Sequence, residues 1–215
     1  PDGRPSPDPA AAVVPPERHG TAPEEREAAR ATDAVFTPWI SGYLGGRHVL
    51  DRLPAPDAAE QVARALRAAI DAEGPVHVDR LAKLVAGGFD LGRVSAERRT
   101  SILECLPDGV FRDPADPQFA WPDEVDPEAW TGFRCAERQA DRPLEQVCAR
   151  EIGNAMVAVC VAGAGVSRDQ LEAETLRLFG FHRRTAAQVA LLDRALRRAA
   201  LEGRLRVDDD VVRAT

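Results

Sequence analysis

The stretch VHVDRLAKLVAGGFDLGRVSAERRTSILECL at residues 76–106 has a counterpart 90 residues later, VSRDQLEAETLRLFGFHRRTAAQVALLDRAL at residues 166–196. The two stretches align without a gap, and their apolar positions coincide, as Phe89 does with Phe179. Extending the alignment towards the N-terminus brings it to 45 positions. An internal repeat of this kind fixes the architecture of a chain. We therefore expect two units that are built in the same way.

Each copy of the repeat is predicted to contain three helices and a β-hairpin. Apolar residues recur every three or four positions in three stretches of each copy, which is typical of amphipathic helices. Short β-like segments around turn residues follow, at residues 109–112 and 118–121 and again at residues 203–207 and 211–212. Helix, helix, helix, hairpin is the winged-helix order. The sequence thus predicts a mainly α protein with short β-hairpins (α+β), made of two tandem winged-helix-like units related by an internal repeat.

The remaining residues flank or connect these units. The N-terminal stretch is rich in proline, alanine and charge, and such a composition buries too little apolar surface to fold alone. Apolar residues return near Val35 and Phe36, which indicates a strap packed on the first unit. The predicted organisation is a disordered segment or linker at 1–33, an ordered strap at 34–61, a first unit at 62–122, an acidic connector at 123–150 and a second unit at 151–215.

Charge is unevenly distributed along the chain. The net charge of −7 argues against nucleic acid, because phosphate binding draws on lysine and arginine. However, residues 1–61 carry 10 acidic and 6 basic side chains and residues 113–151 carry 10 and 4, whereas residues 152–206 carry 5 acidic and 9 basic ones. Acidic connectors therefore surround neutral-to-basic folded units. No membrane span or signal peptide is readable, so we expect a cytoplasmic protein without membrane contact.

Motifs for catalysis or cofactor binding are not found. The single lysine, Lys83, lies inside a predicted helix and not in the Gly-Lys-Ser/Thr loop that cradles nucleotide phosphates. The histidines form no i, i+4 pair and the cysteines form no Cys-x-x-Cys pair, so no zinc site is indicated. Residues 56–57 and 122–124 mimic the start of an acidic nuclease motif, but the lysine that usually completes it is missing. We expect a non-catalytic segment without a cofactor, and a nuclease is the enzymatic alternative.

The fronts of the two third helices are the candidate binding surface. In helix-turn-helix proteins the N-terminal residues of the recognition helix reach the DNA, where arginine binds phosphate or guanine edges. The exposed N–H groups of a helix N-terminus also favour phosphate. The candidate nucleic-acid-binding residues are Arg93, Ser95, Arg98 and Arg99 in the first unit and His182, Arg183, Arg184, Thr185 and Gln188 in the second.

Several short blocks of the chain resemble a known family. The blocks EGPVHVDRLA (73–82), FAWP (119–122), LFGF (178–181) and RRT (183–185) are similar to the domain of unknown function 3320, found at the C-terminal end of large bacterial superfamily 1 helicases. The resemblance covers roughly residues 60–207 and contains no catalytic block. It implies a parent protein with upstream helicase motor domains and a role in DNA repair or in defence against foreign DNA. The opening proline and the late single methionine likewise suggest a piece of a longer protein.

Two functions from different classes follow from these observations. The first is a non-catalytic accessory module that binds duplex or junction DNA for a helicase-like parent. The alternative is a protein-interaction or dimerisation module of the same parent, since winged helices also serve as partner platforms. Surface charge discriminates between them: one continuous basic face carrying both helix fronts favours DNA, and acidic side chains flanking that face favour a protein partner. The oligomeric state stays open.

Overall fold

The computed structural model describes residues 34–136, 138 and 141–215, and the predicted linker at 1–33 lies outside the described residues. The described chain is a mixed α/β protein with short antiparallel sheets, which agrees with the predicted α+β class. None of the described helices is long and apolar enough to cross a membrane.

Two short elements precede the first long helix. They are strand β1 (Ala34–Phe36) and helix α1 (His48–Asp51), and they bury Phe36 and Leu50. Strand β1 pairs in parallel with strand β5 (Arg134–Ala136), which belongs to the predicted connector. The segment before the first long helix is therefore fastened to a part of the chain about a hundred residues away, a pairing that no local pattern in the sequence indicates.

The first segment, defined as residues 56–121, contains three helices and three strands. Its elements are α2 (Pro56–Glu73), β2 (Val76–His77), α3 (Val78–Gly88), α4 (Ala96–Leu103), β3 (Phe111–Arg112) and β4 (Phe119–Trp121). Helix α2 begins six residues before the predicted start at Val62. The reason is Pro56 in the first turn of the helix, where a missing N–H costs nothing and the fixed φ suits a helix start.

The second segment, defined as residues 149–214, has the same order of elements. After a 3₁₀ turn (Leu144–Gln146) it contains α5 (Ala149–Gly163), β6 (Val166–Ser167), α6 (Arg168–Leu178), α7 (Ala186–Leu201), β7 (Leu205–Asp208) and β8 (Val211–Ala214). The starts of β6, α6 and α7 lie 90 residues after those of β2, α3 and α4. The strand orders also match, β2-β4-β3 in the first segment and β6-β8-β7 in the second.

The predicted hairpins are confirmed, and each of them gains a third strand. Strands β3 and β4 pair antiparallel, as do β7 and β8. The two-residue strands β2 and β6 add to these hairpins, with Val76 opposite Ala120 and Val166 opposite Val212. A strand of two residues is too short to show the alternation by which strands are predicted, so the sequence reasoning missed both.

Each segment has its own apolar core, as the repeat predicts. Six aligned apolar positions of each segment lie in its core, and all of them are buried except Leu106, which is partly buried because α4 ends before it. The buried ones are Leu66, Ile70, Leu81, Phe89 and Ile102 in the first segment and Met156, Cys160, Leu171, Phe179, Leu192 and Leu196 in the second. Both cores place the third helix, α4 or α7, with its N-terminus at the surface.

Candidate nucleic-acid interface

The front of α4 is held in place by its own candidate residues. The Ser95 hydroxyl accepts a hydrogen bond from the Arg98 backbone N–H at 3.2 Å and caps the helix. The Arg98 guanidinium donates to the Leu50 carbonyl and, at 2.6 Å, to the carboxylate of Asp51. Arg98 therefore ties α4 to α1, and both of its outer nitrogens are engaged within the fold.

Arg99 is paired in the same way, whereas Arg93 is not. The Arg99 Nε donates to the carboxylate of Asp79 in the first turn of α3, so this pair links α3 to α4. Arg93 is exposed, and within the described part of the chain it has neither a hydrogen bond nor an ion pair through its side chain. Of the three candidate arginines in the first segment, one is left for a ligand.

At the front of α7, Arg184 is bound by two carboxylates. Its Nη1 donates to Asp169 Oδ1 at 2.7 Å and to Glu172 Oε2 at 3.0 Å. The hydrogen bond that Arg184 donates to Asp169 is the main cause that raises the pKa of Arg184, and the charges of both acids add to it. This guanidinium therefore stays charged, but its charge is balanced within the fold.

Thr185 and Gln188 form a capping box at the start of α7. The Thr185 hydroxyl accepts from the Gln188 N–H at 3.2 Å, and Gln188 Oε1 accepts from the Thr185 N–H at 3.0 Å. Gln188 is buried, with 8% of its surface exposed. Its side-chain amide fixes the helix start, so Gln188 is not part of a binding surface.

His182 and Arg183 are the residues of the second front whose side chains have no partner among the described residues. Both precede the capping box, and among the described residues neither has a side-chain hydrogen bond or ion pair. Arg183 lies 90 residues after Arg93, at the corresponding position of the first segment. The structure thus leaves one exposed arginine at each front, plus a histidine at the second, without an ion pair or side-chain hydrogen bond among the described residues.

Acidic side chains flank the second front. A shallow depression beside α7 is lined by Arg168, Asp169, Glu172, Arg184, Val189 and Asp210. The turn between β7 and β8 adds the run Asp208, Asp209 and Asp210, and the Asp210 carbonyl accepts from the Arg168 N–H at 2.9 Å, which places this turn next to α6. The second front is therefore flanked by carboxylates, of which that of Asp208 is paired with Arg206 and Arg213.

A buried ionic cluster joins the segments, and sequence reasoning missed it. Glu151 is fully buried in α5 and accepts from Arg142 at 2.7 and 2.5 Å and from Arg134 at 3.0 Å. Burial alone would raise the pKa of the Glu151 carboxyl, but the charges of Arg134 and Arg142 outweigh it and lower the pKa to about 2. Arg134 also donates to the carbonyls of Glu73 at 2.8 Å and of Gly74 at 3.0 Å. The cluster therefore links the end of α2 to the start of α5.

Metal and thiol chemistry find no support in the described residues. No group of three or more histidine, cysteine, aspartate or glutamate side chains among them is arranged to hold a metal ion. The thiols of Cys148 and Cys160 are buried, and burial raises the pKa of both, that of Cys148 to about 12. These two thiols are protonated at neutral pH and are poor nucleophiles.

Residues 51–100 match the family model described as a protein of unknown function (DUF3320). The match runs from the end of α1 into α4 and includes Arg93, Ser95, Arg98 and Arg99. It agrees with the resemblance seen in the sequence for this part of the chain, and its description names no activity. Neither a curated protein nor a solved structure matches the chain. The helicase-like parent thus stays a prediction.

Proposed function

We propose that this chain is a non-catalytic protein-interaction module of a bacterial, cytoplasmic, helicase-like parent protein, built from two tandem winged-helix-like units related by an internal repeat. The order helix, strand, helix, helix, hairpin in each segment supports the winged-helix assignment. The spacing of 90 residues between corresponding elements supports the repeat. In this proposal the first unit spans 62–122 and the second spans 151–215. The strap at 34–61 precedes the first unit, and the connector at 123–150 lies between the two. The first turns of α2 and α5 extend the units into the strap and the connector.

The observation that carries the proposal is the internal neutralisation of the basic helix fronts. Arg98, Arg99 and Arg184 each form an ion pair with a carboxylate of the same chain. Binding to DNA gains affinity when cations neutralise phosphates and release counterions. An arginine that already faces a carboxylate contributes little to this, because the ligand phosphate must compete with that carboxylate.

The hairpin of the second segment supports the same conclusion. Strands β7 and β8 occupy the position of a wing, and their turn carries Asp208, Asp209 and Asp210. In a DNA complex of a winged helix this turn would lie near the phosphates, where the carboxylates of Asp209 and Asp210 repel the duplex; that of Asp208 is paired with Arg206 and Arg213. A protein surface with basic side chains has no such conflict. The motor domains expected upstream in the parent are the partner that the sequence resemblance favours.

A duplex- or junction-binding DNA module is the second proposed function, and one observation favours it. Arg93 and Arg183 are exposed, lack partners among the described residues and occupy corresponding positions ahead of the third helix. Two such arginines could contact phosphates at two points on a duplex. Each neutralised phosphate lowers the logarithm of the affinity by about 0.9 per decade of salt, so two contacts give weak and salt-sensitive binding.

Fluorescence anisotropy of a labelled duplex, titrated with the chain at two salt concentrations, tests the proposal. We expect a Kd no tighter than about 100 µM at about 150 mM salt, the weak end of non-specific binding. A Kd below about 1 µM at this salt that is lost in Arg93→Ala/Arg183→Ala would overturn it and establish the DNA module. The control is Arg64→Ala, which removes an exposed arginine of α2 that belongs to neither front.

A further inference from the structure

In the first segment, the groove between α2 and α3 is covered by the residues that precede α1. We call residues 34–47 the covering segment and this groove the first groove. The Trp39 N–H donates to Glu73 Oε1 at 2.7 Å, and the Leu44 N–H donates to the Gly88 carbonyl at 2.8 Å. The Phe36 ring is buried with its centroid 5.3 Å from the guanidinium of Arg80. Aromatic side chains and backbone amides of an extended segment thus close the first groove.

In the second segment, the corresponding groove between α5 and α6 is open. We call it the second groove; it has a volume of about 430 Å³ and is lined by Val159, Ala162, Gly163, Val166, Gln170, Glu174, Arg177 and Leu178. Gly163, Gln170 and Leu178 lie 90 residues after Glu73, Arg80 and Gly88, the residues that the covering segment contacts in the first groove. Glu73 and Gly88 are buried beneath that segment, whereas Gly163 and Gln170 are exposed.

We propose that the second groove is a docking site for an extended peptide segment of a partner protein, anchored by an aromatic side chain. The inference rests on the proposed interaction function and names its surface and ligand class. Extended segments gain affinity from backbone hydrogen bonds and specificity from pockets for individual side chains. The apolar floor formed by Val159, Ala162 and Val166 supplies such a pocket, and Gln170 and Glu174 supply polar groups at its rim.

The substitutions between the two grooves define what the second one accepts. Gly163 replaces Glu73 and so removes the carboxylate that accepts from the Trp39 N–H in the first groove; a Cβ at Gly163 would meet Val166 Cγ1 at 2.6 Å, so the Val166 side chain occupies that space. Leu178 replaces Gly88, where a Cβ would approach the Leu44 side chain to 2.7 Å. The second groove thus lacks the carboxylate acceptor of the first, and Leu178 fills the end that Leu44 occupies in the first groove. The docked segment needs a short aromatic anchor and no counterpart of Leu44.

A partner segment fits this groove better than the covering segment of a second copy. In each copy the covering segment is already bonded to Glu73 and Gly88 and pairs through β1 with β5. A second copy would have to release these bonds before it could occupy the second groove. A free peptide of the same chemistry loses no such contacts when it binds.

The test uses the synthetic peptide AVFTPWIS, the sequence of residues 34–41, as probe for the full chain in isothermal titration calorimetry at about 150 mM salt. We expect a Kd of tens of micromolar and about tenfold weaker binding to Ala162→Arg, which places a charged side chain in the apolar floor. The matched control is Ala72→Arg, the corresponding exposed position of the first segment, which leaves the affinity unchanged. A peptide lacking both aromatic rings, AVATPAIS, does not bind. Gln170→Arg restores the cation of Arg80 and tightens binding about two- to fivefold.

Three results would overturn the inference. They are a Kd weaker than about 1 mM for the wild-type chain, equal losses in Ala162→Arg and Ala72→Arg, and a dimer in sedimentation velocity that Ala162→Arg dissociates. The last result would assign the groove to a second copy. Circular dichroism of each variant shows that the fold is retained. The duplex titration above is independent of the groove, so tight DNA binding would refute the proposed function while an absent peptide signal would refute only the docking site.

Discussion

The first segment, residues 56–121, and the second, residues 149–214, have the same order of helices and strands but expose different surfaces. The first carries 11 acidic and 8 basic side chains and has its helical groove covered; the second carries 9 acidic and 11 basic ones and has the groove open. The buried apolar positions coincide, whereas Glu73, Arg80 and Gly88 are replaced by Gly163, Gln170 and Leu178. The framework of each segment depends on its core, whereas the groove and front residues that differ between the segments are not constrained by the core.

The largest expected effect comes from removing the buried carboxylate of Glu151, which joins the two segments. We expect Glu151→Ala to lower the free energy of unfolding by about 3–5 kcal/mol, because it leaves the guanidinium groups of Arg134 and Arg142 without their buried counter-charge. The midpoint of urea unfolding measures this. Glu174→Ala, which removes a half-exposed carboxylate paired with Arg177, is the control and should cost less than about 1 kcal/mol. Similar costs for the two variants would show that the cluster does not hold the segments together.

Acid should weaken the same junction. The pKa of Glu151 falls from 4.5 to about 2 on folding, so its carboxylate stabilises the folded state above pH 4.5, and this contribution is lost as the pH falls from 4.5 towards 2. Urea unfolding measured at a series of pH values across this window checks the loss. In Glu151→Gln this part of the pH dependence is absent, and its persistence would assign the loss to other carboxylates.

The smallest expected effects on stability come from the N-caps of the third helices, α4 and α7. Thr185→Ala should destabilise the chain by about 1–2 kcal/mol, because it breaks a capping box in which two hydrogen bonds are reciprocal. Ser95→Ala removes a single capping bond and should cost about 0.5–1 kcal/mol. Thermal unfolding of both variants measures the difference. A larger cost for Ser95→Ala would contradict the assignment of the stronger cap to α7.

The sequence predicts the helices and the hairpins well because their signals are local. Periodic apolar residues and hydroxyl caps place the helices, and turn residues place the hairpins, so the 90-residue register follows from neighbours in the chain. The pairing of β1 with β5 and the contacts of Glu151 join residues far apart in sequence, and no period marks them.

The candidate site shows the same limit. Arg98 and Arg184 have the sequence context of phosphate-binding residues, but their carboxylate partners Asp51 and Asp169 come from other elements. A count of basic residues near a helix start does not reveal such partners. Arg93 and Arg183 look the same in sequence, and only the fold shows that they are exposed and not held by carboxylates of the described chain. The groove that we assign to a peptide has no motif, since it is defined by the absence of a covering segment.

Amide chemical-shift mapping of the isotope-labelled chain tests whether the chain binds a peptide or DNA, because one sample reports on both the second groove and the helix fronts. The chain is titrated first with the peptide AVFTPWIS and then, separately, with duplex DNA at about 150 mM salt. We expect the peptide to shift the amide resonances of Val159, Ala162, Gly163 and Gln170. The duplex should leave the amide resonances of Arg93 and Arg183 unchanged. Shifts at Arg93 and Arg183 with the duplex, and none along the second groove with the peptide, would contradict both expectations.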